Sequence, residues 1–235
     1  MTKMETIIKA VAFDVGQTLI NYSKLLNWQS LYSPAIKQVM AACNLGYTIQ
    51  ADTNAQQILT KYNTRINFRE YEVASDKIFT EILNSWRADI NNLHVAKQAF
   101  YSYFRADVSC YEDTESVLQS LKNRNIKIGV LTDVAYGMDN EYALQDLALI
   151  QKYFDVCLTS NDVGFRKPNE KGFLLLQKAF NFNNNQIAFV GDEEKDIVGA
   201  NNAGFISILI NRSSDVKNWG QKHTVGTLSD VLSLL

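Results

Sequence analysis

The sequence has few of the residues that would indicate disulfide, thiolate-metal or membrane chemistry. Its three cysteines, Cys43, Cys110 and Cys157, lie far apart and form no CxxC pair, which argues against a disulfide framework and a zinc site. No apolar run approaches the roughly 18 residues of a membrane span, and residues 1–5 lack the apolar segment of a signal peptide. We therefore expect a cytoplasmic protein without a membrane partner.

The chain also lacks a large excess of charge of either sign. Lysine and arginine number 23 against 25 aspartates and glutamates, and no local basic cluster occurs. Nucleic acids are bound through basic patches, so a nucleic-acid partner is not expected. With 235 residues, of which 46% are hydrophobic, the chain is long enough for one α/β domain with an insertion.

Proline and glycine are scarce between residues 20 and 106, where only Pro34 and Gly46 occur. Apolar residues recur there at steps of three and four, which predicts a bundle of about four helices. From about residue 107 strand-like and helix-like segments alternate, which predicts a parallel sheet covered by helices on both faces. We therefore predict an α/β fold, in which a Rossmann-like three-layer core (1–19 and 107–235) carries an all-α insertion (20–106).

Polar side chains stand where the predicted core strands end. Asp14 follows the first strand, Thr132 and Asp192 end later ones, and Lys167 lies in the loop after another, at a Lys167-Pro168-Asn169 turn that we expect to open a helix. The carboxyl ends of parallel strands share one edge, so these groups can converge. Two carboxylates, a hydroxyl and an ammonium suit phosphoryl transfer through an aspartyl phosphate with Mg²⁺.

In this order the segments resemble the four motifs of the haloacid dehalogenase-like hydrolase superfamily. The matching segments are Phe13-Asp14-Val15-Gly16-Gln17-Thr18-Leu19, Val130-Leu131-Thr132-Asp133, Lys167-Pro168 and Val190-Gly191-Asp192-Glu193-Glu194-Lys195-Asp196-Ile197-Val198-Gly199-Ala200. The resemblance implies that the helical insertion is a cap domain that selects the substrate. It further implies a small phosphorylated metabolite as substrate, and a monomer or a homodimer.

The resemblance also implies a role for individual residues. Asp14 would be the nucleophile and a Mg²⁺ ligand, with the backbone carbonyl of Gly16, Asp192 and Asp196 completing the protein's share of the metal shell. Thr132 and Lys167 would be catalytic groups that orient and neutralise the phosphoryl oxygens. The expected substrate contacts come from four residues: Thr18, Thr132, Asp133 and Lys167.

One position departs from the pattern of the family's phosphatases. They carry a second aspartate two residues after the nucleophile, which protonates the leaving oxygen, whereas this chain has Gly16. General acid–base help is commonly worth about 10²–10⁴ in rate, so we expect weak activity on simple phosphate esters. Four neighbouring side chains are candidate substitutes: Gln17, Asp133, Glu193 and Glu194.

The sequence leaves two alternatives to a phosphatase. The first is a non-catalytic phosphoryl-binding or regulatory protein that kept the ion site and lost the chemistry. The second is cleavage of carbon–halogen or carbon–phosphorus bonds. In the resembling family, dehalogenases carry an aromatic residue at the position of Gly16 and need no metal, whereas the phosphonate-cleaving branch carries a small residue. The acidic motif with Asp192 and Asp196 favours a metal, and so argues against a dehalogenase.

Overall fold

The computed structural model describes residues 7–24, 29–105, 107–213 and 215–235. Residues 1–6, for which the sequence predicts no signal peptide, lie outside the described residues. Positions 25–28 and 106 of the predicted insertion also lie outside them, as does position 214. In the part that is described, no helix is long and apolar enough to cross a membrane.

The described residues form eight strands and ten α-helices. The strands are β1 (Ala10–Phe13), β2 (Ile20–Tyr22), β3 (Val108–Cys110), β4 (Lys127–Thr132), β5 (Val156–Thr159), β6 (Ile187–Gly191), β7 (Ile206–Ile210) and β8 (His223–Val225). The helices are α1 (Tyr32–Ala42), α2 (Ile49–Tyr62), α3 (Ser75–Ser85), α4 (Leu93–Arg105), α5 (Thr114–Asn123), α6 (Asn140–Gln145), α7 (Ser160–Val163), α8 (Glu170–Phe180), α9 (Glu194–Asn202) and α10 (Leu228–Val231).

Six strands form a parallel sheet in the order β5-β4-β1-β6-β7-β8, and β2 pairs with β3 in a separate two-stranded sheet. The central strand β1 consists of four apolar residues that are fully buried, as expected for a strand covered on both faces. Its last residue, Phe13, lies in register with Val130 of β4 and Val190 of β6. Three strands therefore end side by side, at the same edge of the sheet.

Helices cover the sheet through an aromatic and aliphatic core. Phe173 and Leu176 of α8 and Ala200 of α9 pack with Phe189 of β6 and Ala12 of β1. Helix α5 also packs against β4, and α10 packs against α5. The predicted α/β fold with a Rossmann-like parallel sheet is confirmed.

The four helices α1–α4 occupy residues 32–105, as the spacing of apolar residues predicts. Their buried residues recur at helical intervals, for example Ile36, Val39 and Met40 in α1 and Phe100 and Phe104 in α4, and α1 packs against α4. Contacts divide the chain into two compact units, residues 1–21, 109–133 and 147–235 on the one hand, and 22–108 with 134–146 on the other. The domain boundaries drawn from the sequence stay a prediction.

Residues 134–146, which the sequence analysis assigns to the core, lie with the helical unit. Tyr136 shares a hydrogen bond with the hydroxyl of Tyr32, and its carbonyl accepts one from the hydroxyl of Tyr101. Gly137 fits so tightly that a Cβ there would lie 2.1 Å from the Val73 carbonyl oxygen. These partners are as much as 104 residues away, so no local pattern in the sequence marks this assignment.

The start of α8 also differs from the expectation. The helix begins at Glu170, two residues after Pro168, because the side chain of Asn169 accepts a hydrogen bond from the backbone N–H of Lys171 and so caps the helix. Pro168 therefore lies in the loop and not in the first helical turn. Lys167 lies in the turn that precedes the helix, where the Asn169 backbone N–H donates to the Arg166 carbonyl at 3.0 Å.

Candidate active site

The register of the parallel sheet brings four of the expected side chains to one edge. Asp14 comes directly after β1, and its backbone N–H donates to the Val190 carbonyl at 2.9 Å, which extends the pairing with β6 by one residue. Asp192 comes directly after β6, and Thr132 is the half-buried last residue of β4. Lys167 reaches the same edge from the loop before α8.

Three carboxylates form a cluster at this edge. Asp14, Asp192 and Asp196 each offer one oxygen, and these oxygens all lie within 4.8 Å of one another. Asp14 is 7% exposed and Asp196 is fully buried, whereas Asp192 is half-buried. Such a spacing is short enough for one ion to contact all three.

Helix α9 fixes the position of Asp196. The Asp196 carboxylate accepts a hydrogen bond from the backbone N–H of Glu193 at 3.0 Å, and the Glu193 side chain accepts one from the backbone N–H of Asp196 in a reciprocal capping box. Gly191 makes room for it, since a Cβ on Gly191 would lie 2.5 Å from the carboxyl carbon of Asp196. Gly191, Asp192 and Asp196 therefore act as one structural unit.

Lys167 is the one ammonium in direct contact with this cluster among the described residues. Its Nζ lies 2.6 Å from Asp14 Oδ1 and 2.7 Å from Asp196 Oδ1, and it donates to the Leu131 carbonyl at 3.1 Å. The side chain is 1% exposed. Burial alone would lower the pKa of Lys167, but the carboxylates of Asp14, Asp196 and Asp133 raise it above its usual value. Lys167 is therefore a fixed positive charge.

The cluster carries more negative charge than Lys167 neutralises. Burial and then the neighbouring carboxylates raise the pKa of Asp192 and of Asp196, because both charged forms are poorly solvated and repel each other. The buried oxygen Oδ1 of Asp196 lies 2.7 Å from the Lys167 ammonium, which is its one close polar partner among the described residues. When all three carboxylates are ionised, one ammonium leaves two negative charges, which fits a divalent cation with oxygen ligands.

The turn after β1 contacts the carboxylate cluster through Thr18. The backbone N–H groups of Leu19 and Ile20 both donate to the Val15 carbonyl, at 2.9 and 3.0 Å, so Gly16 and Gln17 form a closed turn. Thr18 is fully buried, and its hydroxyl donates to Asp192 Oδ1 at 3.4 Å. The structure thus directs Thr18 toward a carboxylate of the cluster.

Asp133 contacts the backbone of Lys167 and does not belong to the cluster of three carboxylates. Its side chain is 3% exposed, and its Oδ1 accepts a hydrogen bond from the backbone N–H of Lys167 at 3.0 Å. Lys195 and Arg166 approach its other oxygen at 3.2 and 3.9 Å. Neither of these two cations is among the site residues expected from the sequence. Each directly precedes a motif residue, and that adjacency is the signal that could have found them.

The comparisons with known proteins agree on one family. A model of the haloacid dehalogenase-like hydrolases matches residues 8–204. The chain is 27% identical over 210 residues to the glyceraldehyde 3-phosphate phosphatase of Methanopyrus kandleri, covering 88% of this chain and 85% of that protein.

Solved structures of the same family share the fold. A HAD phosphatase from Thermococcus onnurineus matches with a TM-score of 0.65 at 20% identity, over 97% of both chains. A 2-haloacid dehalogenase from Pseudomonas syringae pv. Tomato DC3000 matches with a TM-score of 0.70 at 17% identity, over 97% of this chain and 98% of that one. Both phosphatases and dehalogenases therefore have this architecture, and the chemistry has to be argued from the side chains.

Proposed function

The chain belongs to the haloacid dehalogenase-like hydrolases, and from that premise we propose that it is a Mg²⁺-dependent phosphohydrolase. Its substrate is a small phosphorylated metabolite, and Asp14 is the nucleophile. The similarity to a named phosphatase over 88% of the chain supports the phosphoryl chemistry. We place the protein in the cytoplasm, as a monomer or a homodimer.

The observation that carries the proposal is the contact of Asp14 with Lys167 inside a cluster of three carboxylates. The group that attacks phosphorus is a carboxylate oxygen, and the Lys167 ammonium lies 2.6 Å from Asp14 Oδ1. The same ammonium offers a positive charge to the phosphoryl oxygens, whose charge grows in the transition state. A Mg²⁺ ion held by Asp14, Asp192, Asp196 and the carbonyl of Gly16 would supply further charge neutralisation.

The proposed reaction has two steps. A carboxylate oxygen of Asp14 attacks phosphorus, the bond from phosphorus to the leaving oxygen breaks, and an aspartyl phosphate forms. Water then attacks this acyl phosphate, inorganic phosphate leaves, and the Asp14 carboxylate is restored. Lys167 stays protonated throughout, and we assign Thr132 the task of orienting the phosphoryl oxygens.

Gly16 limits the range of substrates. It has no side chain to give a proton to the leaving oxygen, so the leaving group has to depart without that help, and the second step has no base at this position. The loss is worth about 10²–10⁴ in rate, or roughly 3–5 kcal/mol of barrier. Acyl phosphates and aryl phosphates have better leaving groups than alkyl esters, and we propose that they are hydrolysed faster.

Phosphate release from acetyl phosphate, p-nitrophenyl phosphate and glycerol phosphate tests the proposal. We expect Mg²⁺-dependent turnover that falls in this order and that Asp14→Asn lowers by more than about 10³-fold. Asp155→Asn, at the opposite end of the sheet, serves as the control and keeps its activity. Absence of turnover on all three substrates would count against the phosphohydrolase.

The missing side chain at Gly16 also favours a second candidate, a phosphoryl-binding protein that does not turn over. For this candidate, Mg²⁺ with beryllium fluoride raises the melting temperature while phosphate release stays at the level of Asp14→Asn. Carbon–phosphorus cleavage remains compatible with a small residue at position 16. Metal-independent dehalogenation fits less well, because the oxygens of three carboxylates lie close enough together to hold a divalent cation.

A further inference from the structure

Asp133 contacts two of the other segments that carry the candidate site, the Lys167 loop and helix α9, although it does not touch the carboxylate cluster in the described residues. It follows Thr132 at the end of β4, and it accepts the backbone N–H of Lys167 at 3.0 Å. Its second oxygen lies 3.2 Å from Nζ of Lys195, the residue before Asp196 in α9. One buried carboxylate thus joins the strand end, the lysine loop and the acidic helix.

The charge around Asp133 shows that it stays ionised. Burial would raise its pKa, but Lys195, Arg166 and Lys167 together lower the pKa to about 2. An ionised carboxylate with a 3% exposed side chain is committed to these partners, so it offers little to a substrate.

We propose that Asp133 is a positioning residue that sets the location of the Lys167 ammonium by holding its backbone. The inference concerns the same reaction as the proposed phosphohydrolase and in that respect rests on it. Lys167 must reach both Asp14 and Asp196 with one flexible side chain, at 2.6 and 2.7 Å. A fixed backbone at Lys167 restricts the positions that its ammonium can occupy. Misplacement of a catalytic group by about 1 Å costs about 10²-fold in rate.

The chain provides a matched control at the other end of the same strand. Asp155 accepts the backbone N–H of Ile128 at 2.8 Å and pairs with Lys122 and Lys127 at 2.8 and 2.9 Å. Its pattern of one backbone donor and two lysines resembles that of Asp133. Ile128 lies near the start of β4, far along the strand from Thr132, so substitution of Asp155 tests the loss of such a carboxylate without touching the site.

Hydrogen exchange at the Lys167 amide tests the inference without any enzyme activity. In Asp133→Ala the amide loses its acceptor, and we expect it to exchange about 10-fold faster or more. In Asp133→Asn the side-chain oxygen still accepts, so protection stays within about 3-fold of the unaltered protein. An amide at Lys167 that stays equally protected in Asp133→Ala overturns the proposal, whether or not the protein is a phosphohydrolase.

Kinetics then separate positioning from general stability. We expect Asp133→Ala to lower kcat by about 10- to 100-fold with a smaller change in KM, and Asp133→Asn to recover most of that loss. Asp155→Ala lowers the melting temperature and leaves kcat unchanged. If Asp155→Ala lowers kcat as much as Asp133→Ala does, or if Asp133→Ala leaves kcat unchanged, the positioning role is wrong.

A variant that keeps Asp133 guards against failure of Asp133→Ala to fold. Lys195→Gln removes the nearer charge on the second oxygen and leaves the hydrogen bond to Lys167 intact. We expect the Lys167 amide to stay protected in this variant, and kcat to fall less than in Asp133→Ala. Loss of protection in Lys195→Gln would mean that the ion pair, and not the hydrogen bond, holds the loop, which would refute the proposed mode of positioning.

Discussion

Lowering the pH should reduce the free energy of unfolding, because Asp133 stabilises the folded protein only while it is ionised. The three cations around Asp133 set the size of this effect. Its pKa is about 2 in the folded protein against 3.8 for an unperturbed aspartate. A group whose folded pKa is depressed stabilises above its unfolded pKa, and that stability is lost as the pH falls through the folded pKa. The difference corresponds to about 2 kcal/mol at pH 7 and about 1 kcal/mol at pH 3, and little of it remains at pH 2.

Urea unfolding of the unaltered protein and of Asp133→Asn between pH 7 and pH 3 measures this difference. The difference in unfolding free energy between the two proteins should narrow by about 1 kcal/mol over that range, because the unaltered protein titrates at position 133 and Asp133→Asn does not. Other carboxylates titrate in both proteins and cancel. Thr114→Ala is the control, since it removes a buried hydroxyl that donates to the Leu19 carbonyl and cannot titrate here. A gap that stays constant or widens toward pH 3 would refute the role of the three cations around Asp133.

Three further substitutions test other parts of the molecule. Gly16→Asp should raise the hydrolysis of glycerol phosphate by about 10²-fold or more relative to acetyl phosphate, if only the acid is missing, and an unchanged ratio of the two rates would contradict this. Gly191→Ala should displace Asp196 by bringing a Cβ within 2.5 Å of it, so that the rise in melting temperature with Mg²⁺ is lost while the apo protein still unfolds cooperatively. Lys97→Met should destabilise the helical unit by about 1–3 kcal/mol in urea, because Lys97 pairs with Asp76 and Asp139 at 2.5 and 2.6 Å with its side chain 11% exposed. An equal Tm for Lys97→Met and the unaltered protein would show that this ion pair does not anchor residues 134–146.

The sequence predicts the fold and the strand ends because both depend on local patterns. An apolar run such as Ala10–Phe13 implies a buried strand, and a carboxylate directly after it lies at the sheet edge in any parallel arrangement. The helical insertion follows from apolar spacing in the same way. These features need no knowledge of which strands are neighbours.

The environment of Asp133 could not be predicted from those patterns. A charged residue after a strand usually lies in solvent, whereas here Arg166 and Lys195 arrive from two other segments and cover it. The placement of Tyr136 depends likewise on Tyr32, which is distant in the sequence. Burial of a polar group is decided by its long-range partners, and neither hydropathy nor spacing records them.

The side chains near Gly16 have other partners, so they do not replace the missing general acid. Asp133 stays ionised with a pKa of about 2, so it has no proton to give at neutral pH. Glu193 caps α9 and pairs with Lys195 at 2.7 Å, and Gln17 accepts a hydrogen bond from the Tyr111 hydroxyl at 2.9 Å. Among the described residues, three of the four side chains considered as substitutes are therefore engaged elsewhere. A leaving group that departs without a proton is stable only when its own pKa is low, which makes the rate depend steeply on the leaving group.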